Sequence, residues 1–522
     1  MKQNHILLLC LCSIITLGAC TKMLDTVQNG VVSSDTFYEG DEACEEAMAE
    51  VYYQNATVLH SMQPYSNPWH LKTLLSDEIY HGGGTREDGL DCRYINEYQF
   101  DANSVIIEGV YAGMYKIIYK ANLVSNNFED STTQVAKRNV AEAKVFRAWA
   151  NFQLVTLWGT APVVTQASRS DYKEANATPS ELWKAIEDDL GEAISSGALT
   201  SKSGIDDKVT RVTKEYAQAL LGKAYVFQEK WDDAEKVLDQ VVSSNKYGLM
   251  DSYADYALAS NNNNKEVLFG DNPTDDPTVT YGIFPNVHMA PSGNFWSNIP
   301  ASGLSMIGFG WIHPSEHIVA AFKEREDGSK RFKETLKSYE DISAMGMTIK
   351  DGVEAYANCG YFNWKWRSPS ASLVTGSFFY YHVQFPLMKY NEVLLLDAEA
   401  KIKAHGNGSG DALINKIRSR AGLPDLSGVG MDTLMDEKEL ECYMDGVRFE
   451  DLVRWGKAET VLKDQGKQIP CFMGLNADGT YNINHARYTN PAYGFKAKHA
   501  LMPIPQHELD VNPHMVQNEN WR

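Results

Sequence analysis

The sequence predicts a mostly α-helical fold, in which helical hairpins build a scaffold and long irregular loops project from it. Three observations carry this prediction. Apolar residues recur at helical spacing in several segments, one segment has the residue spacing of a tetratricopeptide hairpin, and three long stretches rich in Gly, Asn, Pro and aromatics lack any sustained period. The composition agrees with a globular chain: 522 residues, 43% hydrophobic and 22% charged, with a mean hydropathy of −0.36. Long disorder, collagen-like repeats and an all-membrane chain are excluded on these values. The formal net charge of −20 argues against a nucleic-acid backbone or anionic headgroups as the main partner.

The chain opens on an address. Lys2 precedes an apolar run from Ile6 to Leu17, broken only by Ser13 and Thr16, and the small residues Gly18 and Ala19 lead to Cys20. The run is short for a bilayer span and has the flanks of a signal peptide. Leu17-Gly18-Ala19-Cys20 resembles a bacterial lipobox, which implies a signal peptide over 1–19 and lipidation of Cys20. Several acyl chains on one residue would anchor the protein stably. Beyond Cys20 the cysteines are Cys44, Cys92, Cys359, Cys442 and Cys471, widely spaced and without Cys-x-x-Cys, so zinc-ribbon and thioredoxin-type motifs are out. Burial as small hydrophobes is the expected role for most of them.

The elements follow in order. Ala141, Val145, Trp149, Phe152 and Val155 form one stripe of a long helix that Gly159 and Pro162 terminate. Leu221-Gly222 with Tyr225, Trp231, Ala234 and Leu238 gives the tetratricopeptide spacing, Gly222 allowing two helices to approach closely; the repeat's leading Trp is replaced by Gln218. Glu266 to Phe269 is a candidate strand. Tyr390 to Lys401, Asp411 to Arg420, Asp436 to Tyr443 and Val447 to Leu462 read as helices, with Asp445-Gly446 between the last two. The irregular stretches run from about Ser61 to Asn103, from about Ser260 to Trp311, and from Gly346 to Tyr381. Loops of this length inside a compact protein are usually functional.

Motifs that imitate chemistry fail on their geometry. His313-Pro314-Ser315-Glu316-His317 matches a His-x-x-Glu-His zinc pattern, but Pro314 disfavours a helix at His313 and favours helix entry just after it. His81-Gly82-Gly83-Gly84 resembles an esterase oxyanion loop, yet no Gly-x-Ser-x-Gly elbow accompanies it, so a tight turn is the better reading. Asp271, Asp275 and Asp276 lack EF-hand spacing. No pair among the 68 acidic residues is singled out for glycoside hydrolysis.

Several blocks together resemble the SusD/RagB family of outer-membrane nutrient-binding lipoproteins. After the lipobox come Leu75-Ser76-Asp77-Glu78, then Arg147-Ala148-Trp149-Ala150-Asn151-Phe152 with Trp158-Gly159 and Pro162. Tyr390, Glu392 to Leu395 and Ala398-Glu399-Ala400 follow, then Ile417-Arg418 with Arg420 to Pro424, and Gly446, Arg448-Phe449, Asp451-Leu452 and Arg454-Trp455-Gly456. The chain closes on Leu501 to Pro505, Glu508-Leu509, Asn512-Pro513, Gln517-Asn518 and Trp521. Asp445 stands where the family usually has Glu, and Lys438 where it usually has Arg.

The resemblance implies one SusD-like domain over 20–522. It would comprise an N-terminal helical part with tetratricopeptide-like hairpins at about 40–250, a loop-rich ligand face at about 61–103 and 260–312, and a C-terminal helical part at about 314–522. It further implies a surface lipoprotein that captures oligosaccharides, or in some members peptides, and hands them to a SusC-like TonB-dependent outer-membrane transporter. Neither catalysis nor a cofactor is implied. A surface glycosidase or esterase is the alternative, and a helical-repeat adaptor that binds only its transporter is a third reading.

Arg147, Arg448 and Arg454 lie in apolar helices and are expected to pair with buried acids such as Glu399 or Asp451, and Trp149, Trp158 and Trp455 to be core. Ligand contacts should come from loops, because sugar rings stack their CH faces on flat aromatics while their hydroxyls need polar partners. The first loop offers Tyr80, Arg86, Asp88 and Tyr94; the second offers Tyr281, Phe295, Trp296 and Trp311.

Overall fold

The computed structural model describes residues 38–61, 65–167, 173–274, 276, 296–298, 309–350, 352–367, 369–374 and 380–522. Its elements are mostly helices: α1 (Gly40–Leu59), α2 (Pro68–Leu74), β1 (Ile79–His81), α3 (Leu90–Asn96), α4 (Val105–Phe128), α5 (Gln134–Trp158), α6 (Pro179–Ser195), α7 (Lys214–Phe227) and α8 (Trp231–Ser243). A middle section of short pieces follows: β2 (Val267–Gly270), β3 (Trp296–Asn298), β4 (Ile312–Pro314), α9 (Glu316–Glu326), α10 (Lys330–Thr335), β5 (Leu336–Ser338), α11 (Tyr339–Ala344), β6 (Thr348–Ile349), β7 (Ala355–Tyr356), β8 (Tyr361–Asn363) and β9 (Pro386–Lys389). Helices return with α12 (Tyr390–His405), α13 (Asp411–Ala421), α14 (Met431–Glu441), α15 (Arg448–Arg454) and α16 (Ala458–Leu462). The hairpin β10 (Gln468–Leu475) and β11 (Tyr481–Arg487) and the short α17 (Gln506–Val511) complete the chain.

The helical scaffold forms as the spacing requires. In α5, the Thr133 hydroxyl accepts from the Ala136 N–H at the start, and Gly159 closes the end at φ 70°. The α7–α8 hairpin needs Gly222: a Cβ there would lie 2.5 Å from the Leu238 side chain. Two expectations change. The helix expected over 447–462 is two helices, broken at Gly456, whose φ of 67° an L side chain rarely adopts. The stretch 61–103 contains α2 and α3, each of seven residues, too short for a hydrophobic period to register. In α2 the Asn67 side chain accepts from the Trp69 N–H, with Pro68 at the first helical position.

Ion pairs brace each half of the scaffold, and Arg448 with Asp77 joins the two. Arg147 donates from Nε and Nη2 to Asp189 (2.8 and 2.6 Å) and from Nη1 to Asn122. Arg454 forks onto Glu399 at 2.6 Å and also reaches Asp451. Arg448 holds Asp77, 371 residues earlier in the chain, through two bonds of 2.9 Å, and Glu439 through one of 2.6 Å. Asp445, shorter than the usual Glu, sits between the Lys365 and Lys389 ammonium groups at 2.9 and 2.7 Å. Trp149 and Trp158 are core and Trp455 is half-buried against it. The five cysteines are buried and unpaired. Among the described residues, no helix is long and apolar enough to cross a membrane.

Candidate functional site

The first loop is held on a two-stranded ladder, β1 against β4, in which Tyr80 faces His313 and His81 faces Ile312. The turn after β1 is built from glycine for steric reasons. A Cβ on Gly82 would lie 2.5 Å from both the Gly310 carbonyl oxygen and the His313 ring, and Gly83 has φ 126°. The Asp88 carboxylate closes the turn by accepting from the Gly84 N–H at 3.0 Å, and its backbone carbonyl lies 3.0 Å from His81 Nε2. Gly89, at φ 60°, then starts α3. Ser315 caps α9 with its hydroxyl accepting from the Ile318 N–H, so the helix begins after His313 as Pro314 requires. His313 lies in β4 beside Asn358, whereas His317 faces Glu439 at 2.7 Å, and the two do not share a metal.

Arg86 is the hub of this face. Its guanidinium donates to the Tyr356 hydroxyl (2.9 Å), to Glu97 (3.0 Å) and to the Tyr493 hydroxyl (3.3 Å), and it stacks 3.5 Å above the Tyr488 ring. The arrangement joins the first loop to β7 and to the chain after the β10–β11 hairpin. Tyr80 and Tyr488 pack on the small apolar cluster of Tyr356, Ile469 and Cys471 beneath. Burial pushes the Tyr80 and Tyr356 phenols up, so both remain protonated donors. Beside them Arg93 donates to the Arg86 carbonyl and to Glu87, and its guanidinium lies 5.2 Å from the ring of Tyr94, which is 41% exposed.

The floor under the turn is aromatic. Trp311 is buried and packs edge-on to Tyr65 at 4.8 Å and tilted to Phe309 at 4.9 Å, with His81 at 5.8 Å. His70, His81 and His313 are buried here. Burial draws His70 down to about 3, aided by the nearby His81, and draws His81 and His313 down to about 4, so all three are neutral. Ala357, next to Tyr356, holds φ 57°, a conformation that non-glycine residues hold only where their surroundings fix it.

Of the residues the sequence singled out, the structure brings Tyr80, Arg86, Asp88 and Tyr94 to one face and sets Trp311 below it. Arg86 and Asp88 are engaged with protein partners, while Tyr94 presents its ring to solvent. Trp296 begins β3, which pairs with β6 at Ile349 and so joins the second irregular stretch to the third. Tyr281, Phe295 and Cys20 lie outside the described residues. Buried Tyr356 and half-buried Tyr488 and Tyr493 complete the aromatic cluster and were not singled out; the aromatic and Asn-Pro content of 488–493 is the only signal that Tyr488 and Tyr493 carry.

Asp77, His317 and Glu439 bring ligand atoms within 4.8 Å of one another, as a metal site would require. A guanidinium already serves these carboxylates: Arg448 bonds both, and Arg325 adds a bond to Glu439. Glu78, beside them, is pushed up to about 8 by burial and by Asp77, and the Met444 N–H donates to it. This Asp77-Glu78 corner ties the foot of β1 to α14 and α15, a structural duty.

Comparison with known proteins decides the family. A model described as the SusD family matches residues 294–521, and a second, described as starch-binding associating with outer membrane, matches residues 27–226. The chain belongs to the SusD family. A SusD-like protein of Bacteroides ovatus is 22% identical over 564 residues, covering 95% of this chain and 94% of that protein. The starch-binding protein SusD of Bacteroides thetaiotaomicron is 24% identical over 489 residues, covering 84% of this chain and 82% of that protein. A solved structure of a laminarin-binding SusD-like protein superposes with a TM-score of 0.77 at 24% identity, covering 92% of this chain and 100% of that one. The mostly helical fold is thus the SusD fold.

Proposed function

We propose that this SusD-family chain is a surface lipoprotein, anchored through Cys20, that binds oligosaccharides and passes them to a TonB-dependent outer-membrane transporter without cleaving them. The observation that carries the reading is the Arg86-centred face. Three tyrosines, Tyr356, Tyr488 and Tyr493, converge on one guanidinium, Tyr80 packs on the same cluster, and exposed Tyr94 flanks them. Such a surface offers the exposed Tyr94 ring for sugar CH faces and phenol groups for hydroxyls. Relatives named for starch and for laminarin binding support the ligand class. The lipobox and the outer-membrane description of the second family model support the location.

The test is a panel of neutral glycans and peptides offered to the chain from Thr21 to Arg522, with Tyr94→Ala and Trp296→Ala in parallel. Retention of one glycan class, weakened about fivefold or more by Tyr94→Ala, is the expected result. Loss confined to Trp296→Ala would move the site to the second loop. Release of reducing ends from any retained glycan would sink the non-catalytic reading.

A further inference from the structure

A ligand-sized cavity, of about 400 Å³, opens on another part of the molecule and shares no residue with the Arg86 face. Its long wall is α4, which presents Tyr111, Tyr115 and Tyr119 one turn apart. The opposite wall is the extended segment from Pro162 to Gln166 together with Glu508, Asn512 and Met515 from α17 and the residues after it. The walls are fixed. The Tyr115 hydroxyl donates to the Pro162 carbonyl at 2.8 Å, Asn122 donates to the Val164 carbonyl at 3.0 Å, and Asn512 donates to the Glu174 carbonyl at 2.8 Å. Tyr111 and Tyr115 are tilted rings 5.0 Å apart, and Trp158 backs Tyr111 at 5.1 Å.

The lining includes one exposed ring: Tyr119 is 44% exposed. The lining charges balance: Lys116 and Lys120 against Glu174 and Glu508. Burial raises the Glu508 carboxyl above its ordinary range.

We propose that this tyrosine-walled cavity is a second carbohydrate subsite that takes one end of a neutral oligosaccharide. The volume lies within the range of small-ligand sites, and largely apolar walls with a few convergent polar groups are the usual build of such a site. A purely apolar occupant would leave the polar lining of Lys116, Gln166 and Glu508 facing it. A charged one finds no excess of either sign. An extended peptide meets helix sides and a clamped segment rather than an open strand edge. A sugar ring satisfies both halves of the site, stacking on Tyr119 and Tyr115 while its hydroxyls meet the polar rim. This goes beyond the loop-face reading and rests on it for the ligand class; two sites on one chain would hold a polymer by effective concentration, without a change in either site.

The test uses the full-length chain in detergent with maltoheptaose, laminarihexaose, xylohexaose and mannohexaose as probes, read by calorimetric stoichiometry. Tyr119→Ala removes an exposed ring, and Ala112→Trp fills the cavity from an adjacent, half-buried position. Melting temperatures within about 2 °C of the parent chain confirm folding of both. Two equivalents of one probe are expected, one of which weakens at least tenfold in each cavity variant and is untouched by Tyr94→Ala. One equivalent that only Tyr94→Ala weakens overturns the second subsite and leaves the loop face standing. One equivalent that only the cavity variants weaken upholds the cavity and overturns the loop face. Two equivalents insensitive to both cavity variants, or silence with all four probes, overturns the proposal.

Discussion

Arg448 and Arg86 are both arginines whose guanidinium holds several partners at once, and they tie together two very different regions. Arg448 is buried among carboxylates, Asp77 and Glu439, and joins the foot of β1 to α14 and α15. Arg86, with 18% of its side chain exposed, has one carboxylate, Glu97, and otherwise tyrosines: two phenol oxygens and one ring face. The scaffold region spends its acids neutralising buried cations. The loop region uses one cation to gather the buried Tyr356 and the half-buried Tyr488 and Tyr493. Charge with charge makes a frame; charge with ring makes a surface.

Breaking the frame should have the largest effect. Arg448→Ala leaves Asp77 and Glu439 buried with less than their full complement of donors, and the expected loss is about 3–5 kcal/mol of stability, read as a fall in the denaturant midpoint. The replacement Arg448→Met, together with Asp77→Asn, should recover part of that loss. If Arg448→Ala changed the midpoint by less than about 1 kcal/mol, the frame would lie elsewhere.

Acid should act on the loop region before the frame. A buried histidine whose folded pKa is depressed is neutral in the fold but charges on unfolding. The unfolded state then binds more protons, and stability falls as pH drops from about 6.5 toward the folded values. For His81 and His313 those values are about 4, and for His70 about 3, so the window runs from about 6.5 to about 4, at roughly 1.4 kcal/mol per pH unit for each imidazole. Glu78 works oppositely: raised to about 8 in the fold, it gives stability that is full below its ordinary value and lost as pH rises toward 8. His70→Gln and His313→Gln should flatten the acid limb of a melting-temperature profile and leave the alkaline limb alone. An unchanged acid limb would mean that these imidazoles do not resist charging.

Arg86→Ala separates the regions more finely. Glu97 has only 2% of its side chain exposed and would keep one cation, Arg93, at 3.8 Å, so a cost of about 1–3 kcal/mol is expected. Ligand affinity should fall further than stability, because Tyr356, Tyr488 and Tyr493 lose their common anchor. Arg86→Lys should restore stability better than affinity, since an ammonium cannot stack flat on Tyr488.

The two regions also differ in how far the sequence reveals them. The α5 stripe runs over enough turns for its period to show, and Gly222 marks the helix contact that its missing Cβ permits. The pairing of Arg454 with Glu399 was open to reading because both lie on helices whose apolar faces are legible. The loop face was only half visible. Arg86 and Tyr94 stand out by residue type, but the Tyr493 hydroxyl that meets Arg86 comes 407 residues later, and no local pattern ties the two. Short elements such as α2 and α3 stay below the window in which a period can be counted. The isolation of Trp311 beneath the turn is likewise a tertiary fact, set by its packing on Tyr65 and Phe309.

The smallest effect on stability should accompany a clear effect on binding, and it falls at Tyr94. The ring is 41% exposed and its one described aromatic–cation contact is Arg93 at 5.2 Å, an arrangement that contributes about 0.5 kcal/mol at an exposed site. Tyr94→Ala should therefore leave the melting temperature within about 1 °C of the parent chain. If the ring is a sugar platform, the same change removes about 1 kcal/mol of stacking, a fivefold to tenfold loss of glycan affinity. Tyr94→Phe should keep nearly all of that affinity, because stacking needs the ring and not the phenol oxygen. Equal affinity in Tyr94→Ala and the parent would place the contact surface on the converging tyrosines alone. A fall in Tyr94→Phe as deep as in Tyr94→Ala would instead make the hydroxyl, and so a directed hydrogen bond, the element the ligand reads.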